Sequence, residues 1–200
     1  MPRLLVELPR TLLIVLGSLA LAACVEGQES AHGRLERISN RGEPVRELSS
    51  AQRAILRRAT VDPATLRLLR QHQGLGVLTA RSLRDEPCYL NASGSRFGFI
   101  ACGQTRHRFP SRELPMIDFS SLVARPGDAH PRIRALMGIA ADGVSRVAVH
   151  FARGPSYFVP VVANTYIDRR VPARPAREIV ALDSARRALA SFPLQVPAAK

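Results

Sequence analysis

Arg134-Ala135-Leu136-Met137-Gly138-Ile139-Ala140-Ala141-Asp142-Gly143-Val144-Ser145-Arg146-Val147-Ala148-Val149-His150-Phe151 carries the clearest β signal in the chain. An arm from Arg134 to Ala140 runs into Asp142-Gly143, a dipeptide suited to the tight turn of a hairpin. A second arm from Val144 to Phe151 sets Val147, Val149 and Phe151 on one face. Ala152-Arg153-Gly154-Pro155 makes the next turn, and Tyr157, Val159, Val161 and Ala163 continue the alternation. Pro160 lacks an N–H and assigns that strand to an edge or a bulge. After an Arg- and Pro-rich stretch from Arg169 to Arg177, Ile179-Val180-Ala181-Leu182 supplies a last strand. The sum is an antiparallel meander whose aliphatic face must be covered by helices or a second sheet.

Upstream, Val77 to Leu83 reads as a strand, and Pro87-Cys88-Tyr89-Leu90 and Phe97 to Cys102 read as two arms joined by Asn91-Ala92-Ser93-Gly94-Ser95. Symmetry about Ser95 sets Leu90 opposite Ile100 and Cys88 opposite Cys102, all on one face because side chains alternate with period two. Opposed residues of an antiparallel pair lie about 4.5 to 5.5 Å apart at Cα, within the span of a disulfide. Ser49-Ser50-Ala51-Gln52 has the capping-box pattern and predicts a helix over 50–59, with Ala51, Ala54, Ile55 and Ala59 toward the core and Arg53, Arg57 and Arg58 toward water. Asp62-Pro63 predicts a second helix start, with Leu66 and Leu69 facing inward and Gly74 and Gly76 ending it. Pro110, Pro115, Pro126 and Pro131 interrupt the region 104–131, where a short helix over Met116 to Ala124 is the reading. The fold class is therefore α+β: short N-terminal helices packed on a mainly antiparallel β-meander or small β-sandwich, with one disulfide.

The run Gly138-Ile139-Ala140-Ala141-Asp142-Gly143-Val144-Ser145-Arg146-Val147, followed by Pro160-Val161-Val162-Ala163-Asn164-Thr165-Tyr166, resembles a C-terminal pattern of secreted and lipoprotein-type proteins of high-GC actinobacteria. Those read G-[IVL]-x-P-D-G-V, then a hydrophobic strand, then N-x-[YF]; here Ala141 stands in place of the proline. The preceding cysteine pair is also similar to that group. The resemblance covers about Cys88 to Leu182, and it implies a fold and no activity.

The N-terminus supplies an address. Thr11 to Ala23 is one apolar block behind Arg3 and Arg10, shorter than the ~20 residues a spanning helix needs and suited to the core of an export signal. Leu21-Ala22-Ala23-Cys24 reads as a lipobox, with Cys24 as the lipidated residue; ordinary cleavage after Ala22 and secretion is the alternative. Lipidation of Cys24 settles the odd cysteine count and leaves Cys88 and Cys102 for each other in an oxidising compartment. The organisation is then a signal peptide over 1–23, the lipidated cysteine and a polar tether over 24–47, a single domain over 48–190 and a tail over 191–200. By random-coil scaling the tether spans about 25 Å. The expected location is the outer face of the cytoplasmic membrane, held there by lipid, with the body a monomer.

The formal charge is +13, and Lys200 is the only lysine. Such an arginine bias accompanies GC-rich coding as readily as it does phosphate binding, and an exported chain does not meet cellular nucleic acid, so no nucleic-acid partner is expected. An anionic envelope polymer or lipid headgroup is the remaining polyanion. Arg169, Arg170, Arg174 and Arg177, interleaved with Pro172 and Pro175, form the densest basic segment and the candidate anion-binding surface. Tryptophan is absent, which weakens a sugar-stacking platform.

G-x-S-x-G, a P-loop, G-x-G-x-x-G and H-E-x-x-H are missing, and His72, His107, His130 and His150 show no metal-ligand spacing with Cys88 or Cys102. No catalytic residue, metal ligand or cofactor is assigned. The expected function is a non-enzymatic binding or structural module of the envelope. The alternatives are an anchored hydrolase, built on His107, His130 or His150 with a distant Asp and Ser, and a binder of anionic envelope polymers or lipid headgroups.

Overall fold

Strands dominate the computed structural model, which describes residues 37–38, 41–103, 115–124 and 128–195. In chain order they are β1 (Glu43–Pro44), β2 (Arg67–His72), β3 (Leu75–Arg81), β4 (Pro87–Ser93), β5 (Arg96–Cys102), β6 (Met116–Asp118), β7 (Ser121–Val123), β8 (Arg132–Ala140), β9 (Arg146–Phe151), β10 (Tyr157–Pro160), β11 (Thr165–Asp168), β12 (Ala176–Leu182) and β13 (Ala188–Pro193). Helix α1 spans Ser50–Arg58 and a single 3₁₀ turn spans Pro63–Thr65. All strand pairing is antiparallel, and the α+β class with its one disulfide holds. Among the described residues no helix is long and apolar enough to cross a membrane.

Three sheets are stacked. The first has the order β1-β2-β3-β4-β5, the middle one β11-β8-β6 with β7 also on β8, and the third β10-β9-β12-β13. Leu75, Val77 and Tyr89 of the first sheet pack on Ala135, Met137, Ile139 and Ile167 of the middle one. On the opposite face of the middle sheet, Met116, Leu136, Ala140 and Tyr166 pack on Val147, Val149, Ile179 and Ala181 of the third. A separate cluster of Leu56, Val61, Leu66, Leu78, Cys88 and Leu90 covers the outer face of the first sheet. Helix α1 belongs to that outer layer, and the layers run α1, first sheet, middle sheet, third sheet.

The β4–β5 hairpin has the register its sequence predicts: Cys88 pairs with Cys102 and Leu90 with Ile100. The two cysteines are bonded, with Cα atoms 4.1 Å apart. On the chain-entropy argument, closing a loop of this length stabilises the fold by about 3 kcal/mol. Beyond Leu90 the register shifts, Ala92 pairs with Phe97, and the turn tightens to Gly94-Ser95 instead of five residues. Asn91 sits at that bulge, where its Oδ1 accepts from the Phe99 N–H at 2.6 Å and its Nδ2 donates to the Phe119 carbonyl at 3.2 Å. One side chain thus replaces the ladder bonds that the bulge interrupts and ties the first sheet to the middle one.

Helix α1 begins as expected. Ser49 Oγ accepts from the Gln52 N–H at 3.1 Å, and Gln52 Oε1 accepts from the Ser49 N–H at 2.9 Å. Its buried face differs from the expectation: Leu56 is fully enclosed and Ile55 is 42% exposed. Leu56 shares a face with Gln52 and Ala59, and that face meets Leu78 and Leu90 below, so one leucine fills a pocket that Ala51, Ala54 and Ile55 leave untouched.

Three further expectations are corrected. The second helix is absent. Asp62 Oδ1 accepts from the Ala64 N–H at 3.0 Å, but this cap holds only the 3₁₀ turn, and Leu66 is already extended. Arg67–His72 is strand β2, with Leu68 facing α1 and Leu69 facing the middle sheet. Gln73 and Gly74, both at positive φ, then make the two-residue turn into β3. The helix over Met116 to Ala124 is instead β6 and β7, whose backbone bonds go to β8. The arms around Asp142-Gly143 do form a turn, with the Val144 N–H on the Ala141 carbonyl at 3.2 Å, but not a hairpin. Strand β8 pairs with β11, β6 and β7, while β9 pairs with β10 and β12.

The folded body is wider than 48–190. Ile38 is 3% exposed within the core shared by the first and middle sheets, and Glu43–Pro44 pairs with β2. Strand β13 runs to Pro193, and the Leu194 N–H bonds to the Arg177 carbonyl at 2.7 Å. The apolar side chains of Ile38, Phe192 and Leu194 draw these flanks onto the cores. The signal peptide, Cys24 and His107 lie outside the described residues.

Candidate functional site

The Asn164-Thr165-Tyr166 and Gly138-to-Val144 segments meet in the middle sheet. Tyr166 stands directly opposite Gly138, and Asp118 opposes the same glycine from the other side. A Cβ on Gly138 would lie 2.2 Å from both the Tyr166 hydroxyl and the Ile117 carbonyl oxygen, so this position excludes any side chain. The tyrosine ring passes over the glycine, and its hydroxyl donates to Asp118 Oδ1 at 2.9 Å. Ser120 adds its hydroxyl at 2.6 Å and its N–H at 3.2 Å to the same carboxyl group. Burial raises the Asp118 pKa, with the Ser120 and Tyr166 hydrogen bonds opposing the shift; burial also raises Tyr166, which is wholly enclosed. This is a packed polar knot that joins β6, β8 and β11.

Asn164 fastens the neighbouring turn. Its Nδ2 donates to the Ala140 carbonyl and to Asp142 Oδ1, each at 3.0 Å, while Arg41 Nη1 donates to its Oδ1 at 2.6 Å. Ala163 and Asn164 both have positive φ, as a two-residue turn between Val162 and Thr165 requires. Asp142 is thereby engaged in turn structure, in line with its reading from sequence.

A second polar group lies on the third sheet. His150 Nδ1 is 3.0 Å from Glu178 Oε1, and Ser191 Oγ donates a short hydrogen bond to Glu178 Oε2. The three come from β9, β12 and β13 on the solvent side. Hydrogen bonds from Ser191, then from His150, lower the Glu178 pKa. Nucleophilic catalysis needs the order serine, histidine, carboxylate, so that the imidazole takes the serine proton. Here the carboxylate occupies the centre and serine donates to it, which leaves Ser191 unactivated. His130 Nδ1 lies 3.0 Å from the Leu194 carbonyl oxygen.

The four arginines singled out from sequence take different settings. Arg174 lies over the Phe151 ring, 5.9 Å from its centroid. The Arg170 N–H bonds to Asp168 Oδ1 at 2.7 Å, and Arg177 adjoins Glu178. Arg169 reaches the first sheet: its N–H donates to Gln73 Oε1 at 2.8 Å and its Nη2 to Ser93 Oγ at 3.0 Å.

There Arg169 borders an open cleft of about 530 Å³ between the first and middle sheets. Buried Leu75 and Met137 line its depth, Ser93 and Ser121 its polar sides, and Arg134 of β8 supplies a second guanidinium. The cleft exists because its walls are small: Gly98, Ala92, Ser93, Ser121 and Ala135 leave space that larger residues would fill. None of its lining residues is acidic. Arg134 escapes a reading based on basic density because it stands in an apolar strand; only the pairing of Ala135 with Ser121 brings that part of β8 to the cleft. Comparison with protein-family models, with curated proteins and with solved structures finds no match for this chain.

Proposed function

We propose that the chain is an exported protein, lipid-anchored through Cys24 at the outer face of the cytoplasmic membrane, whose β-rich body is a non-enzymatic binding module. The observation that carries this reading is the Cys88–Cys102 bond, which occupies two of the three cysteines and leaves Cys24 without a disulfide partner. Stable disulfides belong to oxidising compartments, and an odd cysteine that carries lipid needs no further account. The cleft between the first and middle sheets supports the binding role. It offers concave apolar surface with a few converging polar groups, the usual makeup of a ligand site.

One acyl chain holds a protein only marginally, so stable retention calls for the multiple chains of a bacterial lipoprotein. Expressed in a bacterium with a lipoprotein pathway and fed a labelled fatty acid, the full chain is expected to carry label and sediment with membranes. Cys24→Ala should abolish labelling and leave the precursor unprocessed or released. Unchanged membrane fractionation of that variant, or no label on the parent chain, overturns the anchor.

A further inference from the structure

We infer that the cleft between the first and middle sheets binds a small amphiphile with one anionic head, which pairs with Arg134 and Arg169 while the apolar body lies over Met137 and Leu75. This gives the proposed binding role a ligand class and rests on that reading, though not on the anchor at Cys24. The volume of about 530 Å³ falls within the roughly 300 to 1,000 Å³ of small-molecule sites.

Charge at the site is one-sided. Neither Arg134 nor Arg169 forms an ion pair with a described residue, whereas Arg81, Arg132 and Arg187 each have a carboxylate, Asp85, Asp128 and Asp183. Two guanidinium groups at one apolar-floored cleft call for an anion that the described body does not itself supply.

Arg169 is also held in advance. Its backbone bond to Gln73 and its Nη2 bond to Ser93 fix the side chain across the two layers. The remaining N–H groups stay available for oxygen acceptors. A guanidinium matches the paired oxygens of a carboxylate or phosphate in a way an ammonium does not. The wall behind it is firm as well, because Asn91 joins β5 to the Phe119 carbonyl of the middle sheet. Ligand ordering therefore costs little reorganisation of the protein.

The head could come from a free amphiphile or from an anionic lipid in a bilayer, and two probes separate these sources. Calorimetric titration of the full chain with decanoate, below its micelle concentration, is expected to show saturable one-to-one binding. Decanol should bind at least about tenfold more weakly, as should decanoate to Arg134→Ala or Arg169→Ala, because each loses a charge-assisted pair. Ser121→Trp, which keeps both arginines and narrows the cleft, should also lose decanoate. Both arginines are exposed, so an unchanged thermal midpoint in the variants verifies that they fold. Binding to the apolar run Thr11–Ala23 would be indifferent to all three substitutions.

Arginine-dependent binding to phosphatidylglycerol vesicles without decanoate binding assigns the head to membrane lipid and keeps the site. Equal affinity for decanol, or affinity unmoved by Arg134→Ala, Arg169→Ala and Ser121→Trp, overturns the inference. A chain that is labelled at Cys24 yet binds neither probe sinks the cleft and spares the anchor.

Discussion

Strands β8 and β9 flank a single Asp142-Gly143 turn and are both rich in aliphatic residues, yet they occupy different layers. From Ala135 to Ala141 every residue of the β8 side is apolar or glycine and buried. In β9, Val147, Val149 and Phe151 point into the core, while on the other face Arg146 and His150 are half-buried on either side of a buried Ala148 that packs with Val180 and Leu182. A strand covered on both faces reads as an unbroken apolar run, and one covered on a single face alternates. Two strands of such different character do not share a sheet here. The turn lifts the chain from the middle layer to the third, and Asn164 clamps it from below.

The largest test of this contrast is a charge scan. Leu136→Asp and Met137→Asp place a carboxylate on opposite faces of β8, and both are expected to cost more than about 4 kcal/mol and to prevent folding, as judged by far-UV circular dichroism and solubility. On β9 the faces should differ: Val149→Asp fails likewise, whereas His150→Gln, on the solvent side, stays within about 0.5 kcal/mol in urea unfolding. Tolerance of either β8 substitution would break the two-sided picture.

Next in size is Gly138→Ala. The added methyl meets the Tyr166 hydroxyl and the Ile117 carbonyl in the strand where both faces are filled, and a loss of about 3 kcal/mol or more in urea unfolding is expected. A loss below about 1 kcal/mol would mean that the ring moves aside freely.

The smallest effect sharpens the comparison through pH. Burial raises the Asp118 pKa above the ordinary carboxylate value of 3.8, so the native state keeps its proton where the unfolded chain has lost it. Stability from this group is full below about pH 4 and is lost as pH rises through the folded pKa. Asp118→Asn should flatten that decline above about pH 4, with Tyr166 still able to donate to the amide oxygen. An identical slope in the parent and the variant would remove Asp118 as its source.

Much of the local architecture was legible in particular residues. The symmetry of Cys88, Leu90, Ile100 and Cys102 predicted a register that the hairpin adopts, and Ser49 with Gln52 predicted a cap whose two bonds both form. Other signals misled for physical reasons. Asp62-Pro63 is a sound helix start, but propagation needs a continuing apolar face, and Leu68 and Leu69 instead serve two different layers. Ser121 and Met116 lie in short strands because β8 supplies ladder partners that no local window contains. For the candidate site, the basic segment led to Arg169 alone; Arg134, thirty-five positions earlier in the chain, arrives through β8.

By itself the chain determined the Cys88–Cys102 register, the helix cap and the cysteine pair, because each depends on residues whose geometry is settled within a few positions of one another. Tertiary structure alone decided which sheet receives each strand, why Gly138 must lack a side chain, and that Arg134 and Arg169 border one cleft. Those outcomes depend on burying two faces of one strand at once, and that requirement is met only when all three layers are assembled.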